Sequence, residues 1–453
     1  MRLMQIKVLV AEIGSTTTVV NAFGCGRAGT LAPTKQCQLE FLGQGFAPTT
    51  VLQGDVSIGL ENAREDLRQN LGLPTLEYER FLATSSAAGG LRMTVHGLVY
   101  DMTVKAGQEA ALGAGANIAF ATAGNLTDAD LEQIEQTQPN LILLSGGTDY
   151  GDKDTALRNA KRLLALPKLP PVIYCGNVQN HHAINRLFDE ACKKLYITEN
   201  VYPRLDELNV EPVRKLIHQA FEEHITEAAG MENLRKMVDG AILPTPGAVM
   251  QAASLLYEEI GDLLVIDIGG ATTDIHSVTA GDDDIAAISV APEPLTKRTV
   301  EGDLGLYINA ENVAKQAGIE LTTITNLRPI PQTDEEIAIT TNLAYHAAKI
   351  ALGRHTGQLR HIFTPRGRQT HAAGRDLTAV QNFIATGGAL TRLPAACNIM
   401  QDLTQINKSG TMLYPKPDRI KILTDHKYIM ASLGVLSLEY PEAAKKMLLK
   451  YIV

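Results

Sequence analysis

The chain has 453 residues, of which 45% are apolar and 20% charged, and its formal net charge is −9. At about 150 residues per domain, this length predicts roughly three compact units and excludes a single small binding module. The acidic balance lacks the basic footprint needed to bind a nucleic-acid backbone. No stretch approaches the ~20 apolar residues of a membrane span, and the five cysteines are scattered without CxxC spacing. We therefore expect a cytoplasmic protein with reduced thiols and with neither a nucleic-acid nor a membrane partner.

Two similar strand–turn–strand units occur in the two halves of the chain. Residues 7–12 are predicted to form a strand, followed by a Gly-Ser-Thr turn and a returning strand over residues 18–23. The apolar run 263–268 is likewise followed by a glycine turn and a returning strand over residues 274–279. This repetition, at a separation of about 255 residues, predicts a duplicated architecture.

The region between these units has a different pattern. Over residues 78–240, short apolar runs alternate with helical stretches, which predicts βαβ units and a parallel sheet. The fold class is therefore α/β. We expect a first lobe over residues 1–77 and 241–260, an inserted parallel α/β region over 78–240, and a second lobe over 261–453.

Both strand–turn units carry a candidate phosphate-binding loop. The loops read EIGSTTT, residues 12–18, and DIGGATTD, residues 267–274. In each, a carboxylate ends a strand, glycine lets backbone amides approach an anion, and hydroxyl groups follow. Either loop alone is more commonly a hairpin turn, but the matched pair indicates phosphate binding. The candidate contacts are Gly14, Ser15, Thr16, Thr17, Gly269, Gly270, Thr272 and Thr273.

Two further glycine turns are candidates for contact with a nucleoside. In ATGGAL, residues 385–390, an apolar strand runs into Gly387 and Gly388, where the absence of Cβ atoms lets the backbone pack against a ribose or adenine face. In EGDLG, residues 301–305, Glu301 and Gly302 form an acidic turn that either touches the ribose or is simply exposed.

The order of these motifs resembles the actin, Hsp70 and sugar-kinase superfamily, whose lobes have a ribonuclease H-like fold. Residues 247–258, GAVMQAASLLYE, and residues 430–437, MASLGVLS, resemble its two connecting helices, in which small residues permit a close crossing that acts as a hinge. The resemblance implies ATP or ADP bound with Mg²⁺ between two lobes. It also implies that Glu12 and Asp267 hold the metal through water, with Asp274 in the cleft.

Two departures from that superfamily affect catalysis. Glu12 stands where an aspartate is usual, and Thr245 precedes Pro246 where Hsp70 and the bacterial actins have a glutamate that activates water. A threonine cannot be a general base at neutral pH. Gln251 falls near the position of the glutamine that orients water in actin. We therefore expect a weak ATPase at most, with the enzyme class left open.

Nearly the whole chain resembles the glutamate-mutase-associated MutL or GlmL family, which is unrelated to the mismatch-repair protein of similar name. The strings that carry this resemblance are TSSAAGGLRMTVHGLV (84–99), AALGAGA (110–116), LILLSGGTDYGD (141–152), YCGN (174–177), LPTPGAVMQAA (243–253), IDIGGATTDIHSV (266–278) and RTVEGDLG (298–305). The family implies an ATP-dependent, chaperone-like reactivating factor. Its partners would be the subunits of an adenosylcobalamin-dependent mutase, from which nucleotide-driven lobe movement releases damaged cobalamin.

Two alternatives stay open. A small-molecule kinase of the same fold would need a catalytic aspartate in the cleft, for which Asp274 is the one convincing candidate. A scaffold protein would bind ATP as a structural ligand.

The inserted region is the candidate mutase-facing surface. Its SGGTDYGD segment, residues 145–152, is either a ligand loop at a strand end or a turn with a helix cap. The DxHxxG signature for cobalamin ligation is absent, so we expect no cobalamin bound by this chain itself.

Overall fold

The computed structural model describes residues 5–25, 39–50, 55–86, 91–114, 116–205, 207–225, 231–240, 242–290, 293–325, 327–364, 367–407 and 410–452. They form two compact units. The flanking unit combines Met1–Ala88 with Ala228–Val453, and the inserted unit is Gly89–Glu227. None of the described helices is both long and apolar enough to cross a membrane. Residues 87–90 of the family string 84–99 lie outside the described residues.

The chain alternates between strands and helices along most of its length. In order, the strands are β1 (Gln5–Ile13), β2 (Thr17–Cys25), β3 (Glu40–Pro48), β4 (Arg80–Ser85), β5 (Arg92–Gly97), β6 (Asn117–Ala123), β7 (Leu141–Leu144), β8 (Val172–Tyr174), β9 (Leu195–Ile197), β10 (Ile242–Pro244), β11 (Leu263–Ile268), β12 (Thr273–Val278), β13 (Thr296–Glu301), β14 (Gln358–Thr364), β15 (Gly367–Ala373), β16 (Asn382–Thr386) and β17 (Lys421–Thr424). The α-helices are α1 (Val56–Asn70), α2 (Lys105–Gly113), α3 (Asp128–Thr137), α4 (Asp154–Leu163), α5 (His181–Glu190), α6 (Glu211–Ile225), α7 (Met231–Met237), α8 (Thr245–Ile260), α9 (Asp283–Ala286), α10 (Ala310–Ala317), α11 (Asp334–His355), α12 (Gly387–Arg392), α13 (Ala396–Thr404), α14 (Met430–Leu436) and α15 (Pro441–Tyr451).

The flanking unit contains two sheets with the same topology. The first has the strand order β10-β4-β1-β2-β3 and the second the order β17-β16-β11-β12-β13. In both, the central strand pairs antiparallel with the next strand in sequence and parallel with a later one. Because β11 thus takes the place of β1, the predicted duplication is confirmed. The central strands β1 and β11 are apolar and buried on both faces, as parallel pairing under covering helices requires.

The inserted unit is a parallel α/β layer, as predicted. Its sheet has the order β6-β5-β7-β8-β9, and every neighbouring pair is parallel. Its limits are narrower than the expected range 78–240. Strand β4, which lies within that range, pairs with β1 in the first sheet, because its buried run from Phe81 to Ser85 extends that sheet.

Helices α8 and α14 cross with their backbones in contact. A Cβ atom built on Gly434 of α14 would lie 1.9 Å from the carbonyl oxygen of Ala248 in α8, so only glycine fits there. The predicted close crossing is confirmed, whereas its action as a hinge stays a prediction. All residues of α14 are buried, and its apolar side chains belong to a cluster that includes Val8 of the first sheet and Val265 of the second. Helices α14 and α15 therefore share a core cluster with both sheets, and the assignment of residues 261–453 to a second lobe stays a prediction.

The cysteines only partly follow expectation. Cys175, Cys192 and Cys397 are free thiols. Cys25 is disulfide-bonded, so the expectation of reduced thiols is wrong at that position. Cys37 lies outside the described residues.

The helix crossing gives a first testable prediction. We expect Gly434→Ala to lower the free energy of unfolding by roughly 1–3 kcal/mol, because the new methyl group overpacks the contact with Ala248. Gly353→Ala in α11 is the matched control, since its Cβ would meet only the hydroxyl of Tyr414 at 3.4 Å, and the gain in helix propensity of about 1 kcal/mol should dominate. Denaturant unfolding measures both. Equal effects of the two substitutions would contradict the proposed crowding.

Candidate functional site

A cleft of about 270 Å³ in the flanking unit brings both predicted loops together. It is lined by loop residues after β1 and β11, by the start of α8, and by residues of α12. The predicted residues that line it are Glu12, Gly14, Ser15, Thr16, Thr17, Asp267, Gly269, Gly270, Thr272, Asp274 and Gly388. Loops separated by more than 250 residues in the chain thus form one site.

The two loops have the same backbone geometry and touch each other. In the first, the Gly14 amide donates to the Thr17 carbonyl at 3.0 Å, and in the second the Gly269 amide donates to the Thr272 carbonyl at 2.9 Å. A Cβ on Gly270 would lie 2.6 Å from the Cγ2 atom of Thr16. Glycine at position 270 is therefore what allows the loops to meet.

Backbone amides of the second loop are oriented as an anion site requires. The carbonyl groups of Gly269 and Gly270 accept hydrogen bonds from the amides of Leu306 and Tyr307 at 3.2 and 2.9 Å. In a trans peptide the following N–H points opposite to the carbonyl. The amides of Gly270 and Ala271 therefore point away from the 306–307 segment, in the manner of an anion-binding nest.

Glu12 is a buried carboxylate with one oxygen satisfied. It is 3% exposed, and its Oε1 accepts a hydrogen bond of 2.7 Å from the hydroxyl of Tyr428. Its Oε2 is buried and has no hydrogen-bond partner among the described residues. Burial raises the pKa of Glu12 to about 7, although the Tyr428 hydrogen bond acts in the opposite direction. An unpartnered buried carboxylate oxygen favours a cation as its partner.

Asp267 adds a second carboxylate to the same cleft. Desolvation raises its pKa well above the usual range, and the negative charges of Asp274 and Glu12 raise it further. The described residues contain no group of three or more His, Cys, Asp or Glu side chains that could hold a metal directly. Mg²⁺ commonly keeps several waters and uses one or two carboxylates together with substrate phosphates. Glu12 and Asp267 fit a Mg²⁺ ion of that kind.

Asp274 is committed to a buried ion pair. Its Oδ1 accepts a hydrogen bond of 2.9 Å from Arg298, which is 2% exposed, and its Oδ2 accepts one of 3.2 Å from the Thr272 hydroxyl. Burial lowers the pKa of Arg298, and the charge of Asp274 partly offsets that effect. The Asp274 carboxylate therefore neutralises the buried charge of Arg298, and both of its oxygens accept hydrogen bonds.

Gln251 and Thr273 lie outside the lining of the cleft. Gln251 is exposed on α8, about 240° around the helix from the cleft residue Thr245 at 100° per residue. Thr273 is fully buried, and its hydroxyl donates to the carbonyl of Leu304 at 2.7 Å. Neither side chain is placed to contact a ligand in the cleft.

The predicted ribose turn also lies outside the lining, for an electrostatic reason. Glu301 accepts a hydrogen bond of 2.5 Å from Arg354, which also bonds Asp303 at 2.8 Å. The carbonyl of Gly302 accepts from the side-chain amide of Asn309 at 2.7 Å. The acidic turn thus pairs with a cation of α11. Asn309 also donates to the carbonyl of Ala271 in the second loop at 2.9 Å, so it connects the turn to that loop.

Gly387 lies just behind the cleft and has a clear steric role. Its φ is +83°, and a Cβ there would lie 2.3 Å from Oδ1 of Asp267. Glycine at this position lets the end of β16 pack directly against the second carboxylate, while Gly388 next to it lines the cleft.

Several lining residues were not predicted from the sequence. The guanidinium of Arg392 lies 4.7 Å from the ring centroid of Phe46 and 5.7 Å from that of Tyr428. Arg328 makes two hydrogen bonds to Glu336, at 2.7 and 2.9 Å, and the Pro-Ile-Pro segment that follows it, residues 329–331, forms an apolar wall of the cleft. No local motif signals these contacts, because each joins segments distant in sequence or depends on a side-chain direction.

The start of α8 carries no carboxylate. Thr245 lines the cleft, and its hydroxyl accepts a hydrogen bond of 3.0 Å from that of Thr84. Pro246 follows in the first turn of the helix, where its missing amide hydrogen costs nothing. The position from which a glutamate would activate water thus holds a neutral, hydrogen-bonded hydroxyl.

Comparisons with known proteins identify the family. The family model described as "MutL protein" matches residues 8–452. "Protein MutL" of Clostridium tetanomorphum is 34% identical over 470 residues, which cover 98% of this chain and 99% of that relative.

Two solved structures of low sequence identity align with nearly the whole chain. The diol dehydratase-reactivating factor in nucleotide-free form is 11% identical with a TM-score of 0.39, over 96% of this chain and 100% of that chain. The (R)-2-hydroxyglutaryl-CoA dehydratase component A of Acidaminococcus fermentans is 9% identical with a TM-score of 0.31, over 97% of this chain and 100% of that chain. Similarity at this level does not indicate a shared function. The match of family model and relative over nearly the whole length shows that this chain belongs to the MutL protein family.

Proposed function

We propose that this protein is an ATP-dependent reactivating factor for an adenosylcobalamin-dependent mutase of the glutamate mutase type. The observation that carries the nucleotide part is the pair of matched glycine loops, each preceded by a carboxylate, that meet in one cleft. The mutase part rests on membership of the MutL family and on what the sequence resemblance implies for it.

Different groups of lining residues bind the phosphates, the metal and the nucleoside in this proposal. The loop amides and hydroxyls contact the phosphates, while Gly388 and the apolar wall at residues 329–331 accommodate the nucleoside. Glu12 and Asp267 would hold Mg²⁺ through water, and the ion would supply neutralisation of the phosphate charge there. Arg392 adds a cation to the lining, with its guanidinium plane held by two aromatic rings.

Hydrolysis is expected to be slow for a structural reason. Thr245 supplies no general base, and both oxygens of Asp274 already accept hydrogen bonds. The same engagement of Asp274 disfavours the alternative of a small-molecule kinase, which would need a free aspartate to take the acceptor's proton. A weak ATPase that holds ATP for long periods is compatible with a chaperone cycle and with the scaffold alternative.

The inserted unit offers a surface for the mutase. Its described residues include five large apolar side chains that are strongly exposed, and all five lie on segments that follow the carboxyl ends of strands. They are Val99 (42% exposed), Tyr100 (53%), Tyr150 (77%), Val178 (41%) and Leu205 (71%). Exposed apolar residues gathered at one edge of a sheet are typical of protein interaction sites.

A polar network holds part of this edge in place. Asp149 accepts hydrogen bonds from the Val178 amide at 2.9 Å and from the Asn200 side chain at 3.0 Å, and its amide donates to the carbonyl of Pro203. Tyr150 has a φ of +63°, and its amide bonds Asn177 at 3.2 Å. These bonds connect three loops at strand ends, on which Tyr150, Val178 and Leu205 are exposed.

Asp152 has a different role from Asp149. It accepts a hydrogen bond from the Thr155 amide in the first turn of α4, so the helix-cap interpretation applies to it.

We expect Asp267→Ala to weaken metal-dependent ATP binding at least a hundredfold, because it removes one of the two carboxylates that hold the metal's water shell. Calorimetric titration with ATP, with and without Mg²⁺, measures the effect. Asp284→Ala, at an exposed residue of the acidic run 282–284, should bind as the wild type does. Unchanged affinity in Asp267→Ala would overturn the assignment of the second loop.

We expect Thr245→Glu to raise basal ATP hydrolysis roughly tenfold or more, since it supplies a carboxylate at the head of α8 where general bases contribute about a hundredfold or more. Thr245→Gln is the matched control, having the same shape without the charge, and should leave the rate low. Rapid hydrolysis by the wild type alone would contradict the structural argument.

We expect the wild type with ATP and Mg²⁺ to restore an inactivated glutamate mutase when fresh adenosylcobalamin is added, with release of the damaged cobalamin. Asp267→Ala should abolish this rescue. The double variant Tyr150→Ser with Leu205→Ser should bind ATP normally yet rescue poorly, whereas Ile58→Ser, an exposed apolar residue of the flanking unit, should rescue normally. If neither activity nor cobalamin release responds to any nucleotide, the kinase alternative moves ahead, and labelled ATP with candidate metabolites then tests it.

A further inference from the structure

Glu12 is joined to the beginning of helix α14 by one tyrosine. Tyr428 donates its hydroxyl to Glu12 at 2.7 Å, and in the chain it stands two residues before α14 begins at Met430. Its φ is +50°, a conformation that a bulky residue keeps only when its surroundings enforce it. The hydrogen bond from the Tyr428 amide to the carbonyl of Asp425, at 2.9 Å, closes the turn that holds it.

The first turn of α14 is fixed by a single buried carboxylate. Asp425 accepts hydrogen bonds from the amides of Ile429 and Met430, and from the hydroxyl of Thr386 at 3.0 Å. Thr386 directly precedes Gly387, which packs against Asp267. Both carboxylates of the cleft are therefore linked to the segment 425–430, Glu12 by a hydrogen bond and Asp267 by packing.

Residues of the first sheet also form hydrogen bonds with this segment and with helix α14 that follows it. The side-chain amide of Gln44 donates to the carbonyls of Lys427 and Tyr428 at 3.1 and 3.3 Å, and Asn21 donates to the Ser432 hydroxyl at 2.8 Å. Several hydrogen bonds thus fix the segment 425–430. Among them, the one from the Tyr428 hydroxyl connects the segment to a carboxylate in the cleft, that of Glu12.

We infer that Tyr428 is a positioning residue that transmits occupation of the cleft by a metal–nucleotide to helix α14. A cation attracted to the unpartnered Oε2 of Glu12 reorients the carboxylate whose Oε1 holds the Tyr428 hydroxyl. Tyr428 follows, and with it the turn that carries the Asp425 cap. Since α14 contacts α8 at Gly434, a shift at its start alters the crossing between the sheets.

This inference rests on the proposed binding of Mg²⁺ and ATP, and it is tested by hydrogen exchange. In the wild type, Mg²⁺ with ATP should slow exchange of the Ile429 and Met430 amides by roughly fivefold or more. Tyr428→Phe keeps the ring beneath Arg392 and removes only the hydroxyl. In this variant, adding Mg²⁺ and ATP should change the exchange rates of the two amides less than twofold. Its affinity for Mg²⁺ and ATP should stay within about tenfold of that of the wild type.

Two further variants sharpen the test. Glu12→Asp keeps a carboxylate but shortens the side chain by one C–C bond of about 1.5 Å, which breaks the hydrogen bond to Tyr428; it should lose the exchange response as Tyr428→Phe does. Tyr440→Phe is the control, because it removes a hydroxyl just beyond the other end of α14, and it should respond as the wild type does.

The outcomes separate the possibilities. A full exchange response in Tyr428→Phe overturns the inference and leaves the proposed function intact. Loss of ATP binding in Tyr428→Phe also overturns it, because the hydroxyl of Tyr428 would then be needed for binding itself and not for transmission. Calorimetry that shows no binding of Mg²⁺ and ATP to the wild type removes the proposed function, and the inference with it.

Discussion

The site depends on two carboxylates that face one cleft. Loss of hydration raises the pKa of both Glu12 and Asp267, and the charge of Glu12 raises the pKa of Asp267 further, so two ionised carboxylates are costly in the cleft unless a cation enters it. The surrounding structure limits that cost. Tyr428 satisfies one oxygen of Glu12, and Arg298 neutralises the nearby Asp274. Oε2 of Glu12 is buried and has no hydrogen-bond partner among the described residues, and the proposed Mg²⁺ site rests on this feature.

Duplication explains how two such carboxylates come to lie together. Each sheet places its acidic residue at the end of its central strand, before a glycine turn closed by the same amide–carbonyl bond. Helices α8 and α14 cross between the sheets, and the crossing is tight because Gly434 has no side chain. Each sheet is held by its own strand pairing, and both share this crossing as part of a common core, whereas the action of the crossing as a hinge stays a prediction.

The sequence predicted the features that local patterns determine. Glycine turns after apolar strands located both loops, and alternating runs located the parallel sheet of the inserted unit. Sequence reasoning failed where the outcome depends on direction or on distant partners. Gln251 lies on the wrong side of α8 because of helical phase, and Glu301 turns to Arg354. Tyr428 and Arg392 reach the cleft through contacts between remote segments, for which a single sequence carries no signal. The resemblance implied that residues 430–437 form a connecting helix, but no local pattern indicated the buried core that α14 shares with both sheets.

The departure from the usual aspartate at position 12 becomes understandable in this structure. The extra methylene of Glu12 carries the carboxylate to the hydroxyl of Tyr428, a contact that an aspartate, shorter by about 1.5 Å, would not make from the same strand. A nucleotide can shift a conformational equilibrium only by its differential affinity for the two states. In the proposed cycle, Glu12 serves the metal and also contacts Tyr428, which leads into α14, so that occupation of the cleft acts on this helix for as long as the ligand stays bound. Under that proposal, the neutral Thr245 and the longer Glu12 both favour holding one conformation over rapid turnover of ATP.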